Sequence, residues 1–174
     1  MTSELNITLL YKEQGPFIAR TIRRLVGEGP HVDDLLQETF IVAYKKRERF
    51  DPGRSKSSTW LYGIAFNLCR HFERSERRAG LFKRRLMAIQ EESVSYQTPG
   101  TALEEKQSMR LIHNALRKLP MKQREAFVLF ELEGLGGKAI SEMLEIKEGT
   151  VWTRIHKARK RFLKQIGENG AFHA

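Results

Sequence analysis

Apolar residues recur every three or four positions through most of the chain, a spacing that places them on one face of an α-helix. It predicts helices at about 16–26, from 32 onward and from about 57 onward. Four more are predicted at 103–119, 121–133, 138–144 and 148–166. No segment shows the strict alternation of a half-buried strand, so we predict an all-α fold.

Charge and helix breakers divide the chain into three parts. Residues 1–80 carry a net charge of +4, residues 81–109 are neutral, and residues 110–174 carry +6. The middle part contains the breaker Thr98-Pro99-Gly100 and reads as a flexible linker. We therefore expect two small helical domains, 1–80 and 110–174, joined by a linker at 81–109.

The second predicted domain contains a sharp turn between two short helices. Ile140 and Leu144 precede the turn, and Val151 and Ile155 follow it, with Ile146 inside it. These spacings allow the two helices to pack against each other across the turn. The pattern is typical of a helix-turn-helix, the motif that places its second helix in the DNA major groove.

Overall charge narrows the choice of partner. The 174 residues include 31 Lys or Arg against 21 Asp or Glu, a net charge of +10, so we expect an anionic partner. Charge alone does not separate nucleic acid from a membrane surface or an acidic protein. A lone Cys69, no secretory signal and no long apolar segment argue for a cytoplasmic protein without disulfides or membrane insertion. We expect no cofactor and no metal site.

The densest positive charge lies on the last predicted helix. Residues 151–164 contain six Lys or Arg and no acidic residue. A helix fits the major groove, where Arg or Lys can bind guanine and other cations can bind phosphates. A solvated basic face would have the same composition. The adjoining turn favours DNA binding.

Two blocks of motifs resemble the extracytoplasmic-function (ECF) group of bacterial RNA polymerase sigma factors. The first is similar to sigma region 2, and the second, which includes the helix-turn-helix, is similar to region 4. The motifs of the first block are DLLQETF at 34–40, RFDP at 49–52 and STWLYGIAFN at 58–67. Those of the second are LP at 119–120, REAF at 124–127, ELEGL at 131–135 and EGTVWTRIHKAR at 148–159.

The resemblance implies a transcription initiation factor that is not itself an enzyme. Such a factor binds core RNA polymerase, directs it to the −10 and −35 promoter elements and helps to open the DNA. In the family, the polar face of the helix at 34–40 binds the β′ clamp helices, which implies core polymerase binding by Asp34, Gln37 and Glu38. An ordinary solvated acidic face would look the same. A metal site is discounted because no further His or carboxylate cluster accompanies these residues.

The family captures the −10 element with the loop before the third helix and with that helix. Trp60 could equally be a core anchor. Tyr62, Phe66 and Phe72 are expected to pack internally. The matching −10 residues are Arg54, Lys56, Ser57, Ser58, Thr59, Trp60, Asn67, Arg70 and Arg74.

The resemblance also implies contacts with the −35 element. Trp152, Thr153, Arg154 and Lys157 match positions that read its bases. Candidates for DNA backbone contacts are Lys138, Thr150, Arg159 and Arg161.

The second block departs from the family pattern at the helix-turn-helix. Gly136 stands where the family places a Ser or Thr cap, and Glu145 replaces the turn glycine. Trp152 replaces a commoner Lys or Arg. The −35 sequence preference therefore cannot be carried over. The family also often implies an anti-sigma factor partner.

Two other functions remain open at this point. A stand-alone helix-turn-helix regulator would explain residues 110–164, but it leaves the face around Asp34–Glu38 and the 50–67 block without a role. Failure to bind core polymerase would favour it. An enzyme acting on nucleic acid would need a nucleophile–base pair or a metal constellation, and the sequence offers neither.

Overall fold

The computed structural model describes residues 5–87 and 103–170, with side chains over 5–81 and 111–167. Within these ranges every regular secondary-structure element is a helix, so the predicted all-α fold is confirmed. A 3-10 turn (Arg47–Arg49) follows the second helix, and a π-helical turn (Val128–Leu132) follows the fifth. The helices are α1 (Ile7–Val26), α2 (His31–Lys46), α3 (Ser57–Met87), α4 (Leu103–Lys118), α5 (Met121–Phe127), α6 (Gly137–Leu144) and α7 (Glu148–Gly170).

The described helices form two groups. We call α1–α3 the N-terminal unit and α4–α7 the C-terminal unit. Of the predicted linker at 81–109, residues 88–102 lie outside the described residues. Helix α3 continues to Met87 and α4 begins at Leu103, so both helices extend into that range.

Helix α1 is longer than the sequence pattern predicts. The predicted start at Pro16 is wrong, because α1 begins at Ile7 and contains Pro16 in its interior. The side chain of Asn6 caps the helix by accepting a hydrogen bond from the Leu9 amide at 2.9 Å. Helix α1 ends at Gly27, whose φ of 93° favours glycine.

The helix predicted at 121–133 changes its winding part-way along. Helix α5 ends at Phe127, and the next five residues form the π-helical turn, in which the Glu133 amide donates to the Val128 carbonyl at 3.0 Å. A π-helical turn inserts an extra residue into the helix and changes where the following side chains point. Here it leaves the Leu132 carbonyl and the Glu133 carboxylate beside α1.

Each unit buries its own apolar face, and the two faces meet. The N-terminal unit buries Ile18, Ile22 and Leu61, and the C-terminal unit buries Leu129 and Ile155. Burying one such side chain contributes about 1.5–3 kcal/mol. The buried residues of both units form one continuous cluster. The units therefore pack against each other as well as internally.

Helices α6 and α7 form the predicted helix-turn-helix. Ile140, Val151 and Ile155 are at most 1% exposed, as their spacing predicts. Between the helices, Glu145 adopts a left-handed conformation with φ 52° and ψ 46°. The turn is held by the Ile146 amide, which donates to the Ser141 carbonyl at 3.1 Å. Glu145 thus keeps the conformation that a turn glycine would favour.

Candidate nucleic-acid interface

Helix α7 presents a basic face to solvent. Its apolar residues at 151, 155 and 158 are buried against α4–α6, so the intervening positions point away from the unit. Arg154 is half-buried, and its charge opposes the rise that burial causes in the pKa of Glu125. The predicted −35 residues Lys138, Thr150, Trp152, Thr153, Lys157, Arg159 and Arg161 are all exposed. The exposed face has the charge and shape to lie against a phosphate backbone.

Trp152 is wedged against the start of α6. A Cβ atom on Gly137 would lie 2.6 Å from Cζ2 of Trp152, closer than real Cβ contacts allow. The indole also packs edge-on against Phe130 with ring centroids 5.2 Å apart, and its N–H donates to Glu148 at 3.3 Å. The side chain nevertheless remains 44% exposed. Gly137 therefore provides the space that positions Trp152 at the surface.

Gly136 precedes α6 without a side-chain cap, as its substitution for Ser or Thr predicts.

Near the other end of the basic face, Arg159 already has partners within the chain. Its Nε donates to the Glu131 carboxylate, and its guanidinium lies 5.3 Å from the ring centre of Phe130. A phosphate would have to compete with Glu131 for this cation.

The loop before α3 exposes its basic residues. Arg54 and Lys56 are exposed, and residues 57–59 are half-buried at the start of the helix. The Asp51 side chain accepts from the Gly53 amide at 2.8 Å and holds the turn. Trp60 is half-buried and packs on Phe50 with ring centroids 5.4 Å apart, so it supports the loop while keeping part of its ring exposed.

On α3 the structure brings Asn67, Arg70 and Arg74 together. Arg70 donates to the Asn67 side chain at 2.9 Å, and Arg74 donates to the Arg70 carbonyl at 3.2 Å. Arg70 also makes a two-pronged ion pair with Glu125 of α5, at 2.6 and 2.8 Å. One predicted −10 cation is thus neutralised by a carboxylate of the other unit.

The predicted polymerase face lies on α2. Asp34, Gln37 and Glu38 are all exposed, and neither carboxylate takes part in an ion pair within the described part of the chain. The same face continues with Ile41 and Tyr44, whose exposed fractions are 44% and 57%. The motif at 34–40 does not include these two apolar side chains. Ile41 lies four positions after Gln37, and Tyr44 lies three positions after Ile41, so both continue the same helical face.

Tyr44 follows Phe40 and Ala43 at helical spacing, which predicts that its side chain is buried with them, but this prediction is wrong. The Tyr44 ring lies outside the core, with the Arg47 guanidinium 4.2 Å from its centre. Tyr62 and Phe66 are buried as expected. Phe72 is half-buried and stacks on His31, with ring centroids 4.6 Å apart.

Buried charges join the two units. Arg124 is fully buried and donates to the Leu25 carbonyl of α1, to Glu73 of α3 at 3.2 Å and to the Leu119 carbonyl at 3.0 Å. Burial lowers the pKa of Arg124, although Glu73 opposes that shift. Burial also raises the pKa of Glu125, against the hydrogen bonds and charge of Arg70.

A second set of contacts joins α1 to the π-helical turn. Glu133 pairs with Arg20 at 2.8 Å and with Arg24 at 2.6 Å, and its own side chain is 1% exposed. The hydrogen bond that Arg20 donates to the Glu133 carboxylate raises the pKa of Arg20. The sequence motifs contain Arg124, Glu125 and Glu133. Their spacing, however, does not predict that these side chains contact residues of α1 and α3, which lie far away in the sequence.

The described helices include none that is long and apolar enough to cross a membrane. Within the same residues, no three His, Cys, Asp or Glu side chains are grouped where they could hold a metal ion.

Comparison with known proteins identifies the family. The model of sigma-70 region 2 matches residues 10–79, and the model of sigma-70 region 4 matches residues 109–162. The ECF RNA polymerase sigma factor SigW of Bacillus subtilis is 32% identical, over 92% of this chain and 87% of its own. The chain belongs to the ECF RNA polymerase sigma factors. Its function is therefore in transcription initiation.

Other relatives of this sigma factor are similar over most of their length. The ECF RNA polymerase sigma-E factor of Haemophilus influenzae is 31% identical, over 86% of this chain and 81% of its own. The solved structure of CnrH in complex with the cytosolic domain of CnrY has a TM-score of 0.66 at 22% identity, covering 93% of this chain and 88% of that one. The fold of the sigma factor is thus shared with that structure.

Proposed function

We propose that this sigma factor binds core RNA polymerase in the cytoplasm, directs it to promoters and helps to open the DNA, without catalysing a reaction of its own. The observation that carries the proposal is the presence of two different exposed faces on one chain. Helix α2 offers an acidic and apolar face, and helix α7 offers a basic face beyond a helix-turn-helix. A stand-alone regulator needs only the second face.

The N-terminal part, residues 1–80, is assigned to core polymerase and to the −10 element. Asp34, Gln37 and Glu38 would bind the β′ clamp helices, with Ile41 and Tyr44 adding apolar contact beside them. An exposed face that combines a few charges with large apolar side chains is suited to a protein partner. The −10 strand would lie along the Arg54–Trp60 segment and along Asn67, Arg70 and Arg74. Cationic side chains and the aromatic ring of Trp60 occur together there, as single-stranded DNA binding requires.

The C-terminal part, residues 110–174, is assigned to the −35 element, with 81–109 as the linker. Trp152, Thr153, Arg154 and Lys157 would approach base edges in the major groove. Backbone contacts would come from Lys138, Thr150, Arg159 and Arg161. These contacts would fix the position of the helix on the DNA.

An anti-sigma factor is the further partner that we propose. A solved structure of similar fold shows the sigma factor RpoE of Bartonella quintana in complex with the anti-sigma factor NepR, with a TM-score of 0.63 at 23% identity over 92% of this chain and 96% of that one. Co-purification from the native host would test for such a partner.

Run-off transcription tests the main proposal. Core polymerase with the purified chain should initiate at discrete sites on genomic DNA fragments, and mapping those sites should reveal the promoter sequence. The double variant Gln37→Ala, Glu38→Ala should bind core polymerase more weakly and initiate less. The matched control is Glu13→Ala, which removes an exposed acidic side chain on α1. A chain that binds operators but fails to bind core polymerase would instead be a stand-alone regulator.

A further inference from the structure

Trp152 and Thr153 lie side by side in the first two turns of α7, the second helix of the helix-turn-helix. In this motif the N-terminal residues of the second helix contact the base edges. Both side chains are exposed, whereas Val151 before them is buried in the unit. The pair therefore occupies the part of α7 that is best placed to meet base pairs.

The hydrogen-bond donors of both side chains are used within α7. The indole N–H of Trp152 donates to the Glu148 carboxylate at 3.3 Å, and the Thr153 hydroxyl donates to the Gly149 carbonyl at 2.9 Å. An indole has no other donor or acceptor, and a threonine hydroxyl has one hydrogen. Guanine presents only acceptors in the major groove, so these two side chains cannot recognise it by donating a hydrogen bond.

Packing fixes the Trp152 ring before any DNA binds. Phe130 lies edge-on to the indole with ring centroids 5.2 Å apart, and the absent Cβ of Gly137 leaves room for the other side of the ring. The side chain is nevertheless 44% exposed. A ring held in one position loses little conformational freedom on binding. Helix α7 thus offers a preformed apolar surface beside its cations.

We propose that Trp152 and Thr153 recognise thymine 5-methyl groups in the −35 element. This inference rests on the proposed assignment of α7 to that element. In the major groove thymine is the base that presents a methyl group, and apolar side chains are the groups that contact it. The Trp152 ring and the Thr153 methyl group supply such contacts. Polar contacts with bases are left to residues such as Lys157, which is exposed one turn further along α7.

The first measurement is a binding selection with the holoenzyme, formed from core polymerase and the full chain. The probe is a duplex promoter library that is randomised over the −35 region. The selected sequences should contain thymine, on either strand, at one or more neighbouring base pairs. The Trp152→Ala holoenzyme should lose the preference for thymine at one of these positions.

The second measurement replaces single thymines of the selected promoter with deoxyuridine, which removes only the methyl group. Each contacted thymine should weaken the dissociation constant of the holoenzyme by about three- to fivefold when it is replaced. Trp152→Ala should abolish this effect at one thymine. Thr153→Ser, which removes a methyl group but keeps the hydroxyl, should abolish it at a neighbouring thymine. Lys160→Ala is the control, because it removes an exposed charge from α7 and should keep every deoxyuridine effect.

The results separate this inference from the proposed function. A holoenzyme that initiates from a discrete −35 sequence, but binds deoxyuridine and thymine promoters equally, would overturn the inference alone. Deoxyuridine effects of the same size in the unsubstituted, Trp152→Ala and Thr153→Ser holoenzymes would overturn it too. A chain that initiates at no promoter with core polymerase would overturn both. If circular dichroism shows that Trp152→Ala fails to fold, the conservative Thr153→Ser variant decides.

Discussion

The guanidinium of Arg124 lies 3.2 Å from the carboxylate of Glu73, with Arg124 fully buried and Glu73 8% exposed in its side chain. Arg124 also donates to the backbone carbonyls of Leu25 and Leu119. One side chain therefore connects α1 and α3 with the turn between α4 and α5. Such a charge is costly to bury, and its partners are left unsatisfied if it is removed.

We expect Arg124→Met to lower the free energy of unfolding by about 3–5 kcal/mol, because Glu73 and the carbonyls would lose their donor. Chemical denaturation followed by circular dichroism measures the effect. Arg117→Met is the control, since the exposed Arg117 accepts the hydrogen bond from Arg124 with its backbone carbonyl, which the substitution keeps. A loss below about 1 kcal/mol for Arg124→Met would show that the buried cluster is not what holds the units together.

Gly137→Ala should destabilise the helix-turn-helix by about 1–3 kcal/mol, because the new methyl group would overlap the Trp152 ring. Thermal unfolding gives the loss, and tryptophan fluorescence reports the displaced indole. Gly136→Ala is the matched control, as a Cβ there meets nothing within 4 Å. In a Trp152→Ala background the cost of Gly137→Ala should vanish; an unchanged cost would contradict the steric explanation.

Glu145→Gly should raise the free energy of unfolding by about 1 kcal/mol, because a left-handed conformation is unfavourable for a residue with a side chain. Glu142→Gly, three positions earlier and inside α6, should have the opposite effect of similar size. Urea titrations of the two variants test the pair. If both substitutions destabilise equally, the turn conformation carries no strain.

The Cys69 thiol should be almost unreactive in the folded chain. The side chain is fully buried, and burial raises its pKa to about 12. At pH 8 the thiolate would then be about 1 part in 10,000, against about a quarter for a free thiol. Titration with an aromatic disulfide at pH 8 should be at least about a thousandfold slower in buffer than in guanidinium chloride. Equal rates would show that Cys69 is accessible.

Arg154→Ala and Lys157→Ala should reduce promoter-specific transcription by about tenfold while leaving core polymerase binding unchanged. Both side chains are assigned to base readout, where a lost contact costs about 1–3 kcal/mol. Run-off transcription and a core-binding titration give the two values. Lys118→Ala, an exposed lysine on α4, is the control. An equal loss in both assays would contradict the assignment of Arg154 and Lys157 to DNA.

Helix positions and the helix-turn-helix were predictable from sequence because they depend on local periodicity. The buried positions 140, 151 and 155 follow directly from their spacing. The start of α1 was not predictable in the same way. A proline usually marks a helix boundary, and here the Asn6 cap and nine earlier residues outweigh it.

Motif matches also located the candidate interface residues, but they did not reveal which of these side chains are paired or exposed in the folded chain. Arg70 and Arg159 are ordinary basic residues in the sequence, and in the folded chain each is paired with a glutamate. The exposure of Ile41 and Tyr44 depends on which side of α2 the neighbouring helices cover. These properties come from contacts rather than from composition.

Periodicity, motifs and charge can be read along the chain, so the helices, the family and the residues that can bind an anionic partner were predictable without a structure. The contact of Glu125 with Arg70, 55 positions away, and that of Glu133 with Arg20, 113 positions away, were not predictable in this way. Such pairs depend on how whole helices pack against each other. The π-helical turn and the packing of α6 on α3 set those distances, and neither leaves a periodic signal in the sequence.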